Sequence, residues 1–214
     1  MARILAIGIA TLDIVNLVAA YPAEDSETRA LGQRVARGGN ATNTLVVLSQ
    51  LGHACSWGGA LAEETDAAFI RSDLMAHNID LQYCRHLPGG KNPTSYILLS
   101  QATGSRSIVH YRDLPEYDFE QFVGIDLTAF DWLHFEGRNI DATAEMLRYA
   151  RRMAPHLPLS VEVEKQRPDI EQLFMLPDLL LFSRAYATAC EYLDATALFA
   201  AVRPQAQQAD LVCS

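Results

Sequence analysis

The chain has 214 residues, half of them apolar and one fifth charged, with 12 Gly and 9 Pro. That length and mix fit one soluble globular domain able to bury a core without staples, and they exclude a disordered, collagen-like or disulfide-stapled chain. Seventeen basic against 26 acidic residues give a net charge of −9, which argues against a nucleic-acid partner, since that would need a basic face.

Arg3 to Ile9 is a short, nearly continuous apolar run, the pattern of a strand covered on both faces in a parallel sheet. The stretch Ile4 to Ala20 could pass for a signal peptide, but Asp13 and Asn16 interrupt it and Arg3 is the only basic residue before it; an h-region does not hold a central carboxylate. No segment reaches the roughly 18 apolar residues of a membrane span. Ile14 to Val18 and Thr28 to Val35 alternate loosely around the polar turn Pro22 to Ser26, which predicts strands exposed on one face and lying outside the main sheet.

Gly38-Gly39-Asn40 opens a predicted helix of about 12 residues, with Ala41, Leu45, Leu48 and Leu51 at helical spacing and Gly52 placed to cap it. Ala54 to Ala60 reads as a strand and Thr65 to His77 as a helix capped by Thr65. Thr94 to Ser100 and Ser107 to Tyr111 flank a Gly-containing polar turn, a hairpin signal. Trp132 to Phe135, Leu159 to Val163, Leu179 to Phe182 and Leu211 to Ser214 read as strands, and Thr143 to Met153 and Ala195 to Gln208 as helices. The alternation predicts an α/β domain with a mostly parallel sheet. Cys55, Cys84, Cys190 and Cys213 form no CxxC pair and no zinc spacing, so they read as reduced thiols of a cytoplasmic protein.

Ligands of open parallel sheets bind beyond the carboxyl ends of the strands, and the notable polar residues fall there. Asp13 in an apolar context needs hydrogen-bond donors, supplied either by sugar hydroxyls or by its own turn. The glycines at 38 and 39 permit close backbone approach, and Asn40 and Asn43 offer uncharged donors and acceptors; the segment is a polyol site or a capped Gly-rich loop. The turn after the first strand carries one glycine, Gly8, so there is no dinucleotide fingerprint, and no GxxxxGK[ST] occurs. Carboxylates at strand tips, Glu136 and the pair Glu162 and Glu164, can hold sugar hydroxyls or the water shell of Mg²⁺, or be surface charge; of the pair, Glu162 is expected at the surface. The six histidines show no zinc or triad pattern.

Six stretches, taken in order, resemble the ribokinase-like pfkB family of carbohydrate kinases across nearly the whole chain. They are Leu12-Asp13-Ile14-Val15, Tyr21 to Glu27, Arg37-Gly38-Gly39-Asn40-Ala41-Thr42-Asn43, Ser105 to Val109, Trp132 to Asn139 and Ser160-Val161-Glu162-Val163-Glu164-Lys165. The Glu-Gly-Arg-Asn and Val-Glu-Val-Glu-Lys segments point to the ketohexokinase (fructokinase) branch. The resemblance implies a parallel-sheet sandwich with a small antiparallel β lid, the lid segments being approximately 14–37 and 94–112 of an incomplete domain at 1–214. It implies a cytoplasmic kinase that uses ATP and Mg²⁺ to phosphorylate a ketose hydroxyl, O1 of fructose. Asp13, Gly39, Asn40, Asn43 and Glu136 would bind the sugar. Arg106, Glu164 and Lys165 would lie on the phosphate and nucleotide side, and no metal ligand is identified. A homodimer through the lid would bring Asp25 toward the partner's site. The family's catalytic Asp sits in a Gly-Ala-Gly-Asp motif that these 214 residues lack. The expectation is therefore a fragment without its catalytic segment, inactive alone; the alternatives are another pfkB-family sugar or nucleoside kinase, or a sugar-binding, dimerising pseudoenzyme.

Overall fold

The apolar run at the start forms strand β1 (Arg3–Ile7), and Ile4, Leu5, Ala6 and Ile7 are all buried, so both of its faces are covered. It is followed by β2 (Thr11–Val18), β3 (Gly32–Gly38), α1 (Asn40–Gln50), β4 (Ala54–Ala62), α2 (Thr65–Ala76), β5 (Ile79–Asp80), β6 (Cys84–Leu87), β7 (Lys91–Ser100) and β8 (Arg106–Asp113). The second half comprises α3 (Phe119–Phe122), β9 (Trp132–Glu136), α4 (Ile140–Met153), β10 (Leu159–Val163), β11 (Leu179–Phe182), α5 (Arg184–Ala189), α6 (Ala195–Val202) and β12 (Asp210–Cys213). The structure is a computed structural model and describes residues 1–206 and 208–214. Among these no helix is long and apolar enough to cross a membrane.

The main sheet runs β12-β11-β10-β9-β1-β4-β5, with β6 also on β4, and every pair is parallel. One face, carrying Ile7, Phe135, Val161 and Phe182, packs against Phe122, Leu147, Tyr186 and Leu198 from the helices α3 to α6. On the other face Leu45 of α1 and Ile70 and Leu74 of α2 cover Ile4, Ala6 and Trp57. That second cover ends near β1. Beyond it Trp132, Leu179, Leu181 and Val212 line an open groove of about 540 Å³ along β9 to β12.

A separate four-stranded sheet has the order β3-β2-β7-β8. The sequence reading expected it to be antiparallel, and its outer pairs β2–β3 and β7–β8 are. Its central pair β2–β7 is parallel, so the sheet is mixed. The reason is topological. β2 follows β1 and β7 follows β6, two strands of the parallel sheet, so both set out from the same end of that sheet and run the same way. Alternation reveals a strand but not its direction.

Other boundaries also differ. The predicted strand from Thr28 begins only at Gly32, because its antiparallel partner β2 ends at Val18 and offers no ladder to the exposed chain before it. Asp13 lies inside β2 rather than in a turn after β1. The cap of α2 is Glu64, not Thr65, and makes no side-chain cap bond, since its carboxylate accepts from Asn92 N and Lys91 Nζ instead. The predicted helix Ala195 to Gln208 stops at Val202, two residues before Pro204, as expected where proline follows a helix end; Gln207 lies outside the described residues. Gly52 adopts φ 87° behind α1, the left-handed cap the sequence asks for.

Candidate functional site

The site is organised by Glu136, the last residue of β9, which is buried. Its Oε1 accepts from Ala41 N at 2.6 Å and its Oε2 from Ile9 N at 3.1 Å. Ala41 N is one of the free donors of the first turn of α1, so the carboxylate pins the helix start to the β1–β2 turn. Burial holds the Glu136 carboxyl above the usual range, opposed by the Ala41 hydrogen bond and by Arg138. The approach is close enough to dictate the neighbouring residue types. A Cβ on Gly8 would lie 2.6 Å from Glu136 Cδ, and one on Gly39 would lie 2.2 Å from Ile9 O. Gly39 also has φ 104°, where an L side chain is strained.

Asn40 donates from Nδ2 to Glu162 Oε1 at 2.9 Å. Glu162 stands beside Glu136 in the β9–β10 register. Its carboxyl is pushed up to about 7, first by burial and then by the charges of Glu136 and Glu164, with the Asn40 bond opposing. Asn43, exposed one turn on, accepts on Oδ1 from Arg37 Nη1 at 2.8 Å. Arg37 is itself nearly buried and anchored to Asp73 of α2 at 2.6 Å and to Thr42 Oγ1 at 2.8 Å.

The small sheet supplies the opposite wall. Asp13 accepts on Oδ1 from Thr11 Oγ1 at 2.8 Å. A Cβ on Gly38 would lie 2.3 Å from Asp13 Oδ2, so the missing side chain at 38 is what leaves that oxygen room beside the Gly38–Asn40 turn. Asp13, Ser95 and His110 face each other across adjacent strands and therefore share one sheet face. Ser95 Oγ lies 3.2 Å from His110 Nδ1. The imidazole is held below its usual range by burial and by Arg138, Lys165 and Arg112, with Asp13 opposing.

The profile described as pfkB family carbohydrate kinase matches residues 1–202. The chain belongs to that family. It is 37% identical over 192 residues to the ketohexokinase of Mus musculus, covering 86% of this chain and 64% of that protein. The chain thus spans just under two thirds of that relative's length. Two solved structures have the same fold at low identity. The ribokinase of Giardia lamblia is 15% identical with a TM-score of 0.83, and covers 100% of this chain and 74% of its own. The Arabidopsis thaliana ribokinase complexed with ribose and ATP is 14% identical with a TM-score of 0.76, and covers 99% and 71%.

Of the residues the sequence singled out, Asp13, Gly39, Asn40, Asn43 and Glu136 meet where the small sheet adjoins the start of α1. Glu164 and Lys165 follow β10 nearby and pair at 3.6 Å, with side chains 40% and 62% exposed. Arg106 is exposed and opposite Leu99 on the Asp13 face of the small sheet, roughly 13 Å along β8 from His110 at the usual rise per residue. Asp25 occupies an exposed turn with φ 54° and makes no hydrogen bond or ion pair among the described residues. No group of three His, Cys, Asp or Glu able to hold a metal occurs among the described residues.

The expected order of the two β10 carboxylates is reversed. Glu162 enters the cluster beside Glu136 and Asn40, while Glu164, past the end of the strand, stands at the rim of the same cavity with its side chain 40% exposed. Arg37, Ser95 and His110 also border the cluster and were not singled out from the sequence. Their only signal is long-range register, which one sequence does not display.

Glu162 generates a stability prediction. An acid raised in the fold keeps a proton that the unfolded chain loses above the ordinary glutamate value of 4.5. Stability therefore falls as pH rises from there to about 7, and the full cost is present above that. Glu162→Gln should raise the urea midpoint at pH 8 by an amount equivalent to about 1–2 kcal/mol after allowance for solvent screening. The gain should vanish toward pH 4; an equal gain at both pH values would contradict the assignment.

Proposed function

We propose that this chain carries the sugar-binding part of an ATP-dependent kinase that phosphorylates a ketose, with O1 of fructose as the acceptor. The observation that carries the reading is the meeting of one carboxylate, two side-chain amides and a bare glycine backbone at a strand–helix junction. Asp13 can accept from two vicinal hydroxyls. Asn40 and Asn43 add uncharged polar contacts, and Gly39 lets a ligand approach the main chain; this mix suits a polyol. The identity to a ketohexokinase supports a ketohexose over other sugars.

In this reading Glu136 holds the helix start against the sugar rather than exchanging protons, since both its oxygens are engaged by main-chain N–H groups. Arg106, Glu164 and Lys165 serve the phosphate side, where MgATP enters as substrate. The sugar oxygen attacks the γ-phosphorus, the bond to the bridging oxygen breaks, and the hydroxyl proton needs a base within hydrogen-bond reach. The 214 residues hold no Gly-Ala-Gly-Asp, and Asp13 and Glu136 are committed to binding and structure. The small sheet acts as a lid and pairs two subunits, with Asp25 reaching across. Supporting this, Val35, Tyr96 and Val109 are exposed on one face of it, on either side of the half-buried Ile14, and exposed apolar surface of this kind marks an interface.

Three measurements test this reading. Asp13→Asn should weaken fructose binding by about 1.5–3 kcal/mol per charge-assisted bond lost; calorimetry giving unchanged affinity would remove Asp13 from the site. A coupled assay of the chain with ATP, Mg²⁺ and fructose should read background, because losing a general base alone costs roughly 10²–10⁴-fold. Turnover in the usual kinase range of about 1–100 s⁻¹ would mean that a residue present here acts as the base. Sedimentation should report a dimer that Val109→Glu converts to monomer, and a wild-type monomer at micromolar concentration would refute the lid interface.

A further inference from the structure

The two amides of the Gly38–Asn43 turn are held by partners that each have a single polarity. A guanidinium only donates, so Asn43 must turn Oδ1 toward Arg37 Nη1, 2.8 Å away. Above about pH 7 the Glu162 carboxylate is ionised and only accepts, so Asn40 turns Nδ2 toward its Oε1, 2.9 Å away. Each amide keeps one atom without a side-chain hydrogen bond among the described residues: an NH donor on Asn43 and a carbonyl acceptor on Asn40. The two side chains therefore face the site with opposite polarity, although the residues are identical.

We infer that Glu162 is a positioning residue for the acceptor substrate: it fixes the Asn40 amide so that its carbonyl accepts from a hydroxyl, in complement to the NH that Arg37 leaves free on Asn43. This rests on the reading of the turn as a polyol site and adds to it the sense of two of its hydrogen bonds. A hydroxyl that donates to Asn40 and an oxygen that accepts from Asn43 are then both specified. An acceptor whose Asn40-facing hydroxyl is replaced by hydrogen or fluorine leaves that carbonyl unmatched. Nothing else contacts the Asn40 side chain by hydrogen bond among the described residues, so its orientation depends on Glu162 alone.

The variant that separates positioning from mere packing is Glu162→Gln. It has the same shape, but its amide can donate as well as accept, so Asn40 is free to turn over. Fructose affinity of the 214-residue chain at pH 8 should fall about fivefold to tenfold, the worth of one hydrogen bond. The side-chain NH₂ resonances of Asn40, followed by NMR without ligand, should move from one well-dispersed pair in the wild type to an averaged pair in the variant. Wild-type affinity in Glu162→Gln would overturn the inference, and so would an Asn40 resonance pair that the substitution leaves in place. If the wild type binds no ketose while its Asn40 resonances respond to Glu162→Gln, the polyol reading fails and the Glu162–Asn40 contact stands as purely structural.

Discussion

The carboxylate of Glu136 is the tie on which the rest of this architecture depends. It reaches from the end of β9 across β1 and meets two main-chain N–H groups, one at Ile9 in the β1–β2 turn and one at Ala41 in the first turn of α1. Removing it would leave the buried N–H of Ala41 and the half-buried N–H of Ile9 without partners, at the cost of desolvated, unpaired donors. The same closeness explains the glycines. Position 8 has no room for a Cβ against Glu136 and Ala41, and position 39 has none against the carbonyl of Ile9. Three points of the chain far apart in sequence thus converge, and the turn that carries Asn40 and Asn43 is set on a rigid base.

A second layer of charge surrounds this tie and is unevenly shared. Glu116 takes hydrogen bonds from both Arg112 and Arg138, and its carboxyl lies below the usual range despite burial because those two guanidiniums outweigh desolvation. Arg138 therefore faces Glu136 only at 3.9 Å. Glu162 has no cation at hydrogen-bond distance among the described residues and leans on a neutral amide. The consequence is a graded series of carboxylates within one cluster: Glu116 firmly ionised, Glu162 titrating near neutrality.

Much of this was legible in the sequence, and the rest was hidden for identifiable reasons. β1, α1, the β7–β8 hairpin and strands β9 to β11 announce themselves through apolar runs, helical spacing and a Gly-bearing turn. The segments that carry site residues were visible as short motifs. Strand direction was not: β2 and β7 alternate as expected, and only the end of the main sheet from which each departs makes them parallel. Glu162 and Glu164 look alike in sequence, two acids flanking one valine, yet the parallel register puts only the first against Glu136. The very short elements β5, β6 and α3 carry too few residues for any period to show.

The groove face shows what the hydrogen-bonding pattern implies for the two halves of the main sheet. β11 is apolar at all four positions, as a strand covered on both sides would be, yet only Leu180 and Phe182 are buried while Leu179 and Leu181 face the groove. At its edge Ser160 Oγ receives the indole N–H of Trp132 at 2.8 Å and lies 2.9 Å from His134 Nδ1. The Ser160 hydroxyl also lies 3.4 Å from Leu133 O, to which it donates, so one serine joins the indole, the imidazole and a main-chain carbonyl. Burial without a nearby anion keeps that imidazole neutral, its pKa held near 4, and Nε2 has no partner. On the α1 side, by contrast, the buried polar groups of Glu136 and Thr42 all have partners within the cluster. The buried groups that hold the Gly38–Asn40 turn are therefore matched within the cluster, while the β9–β12 face keeps both apolar surface and an unmatched imidazole nitrogen. The Gly38–Asn43 turn is held from its own side of the sheet, by Glu136 of β9, by Glu162 of β10 and by Arg37 braced on Asp73 of α2.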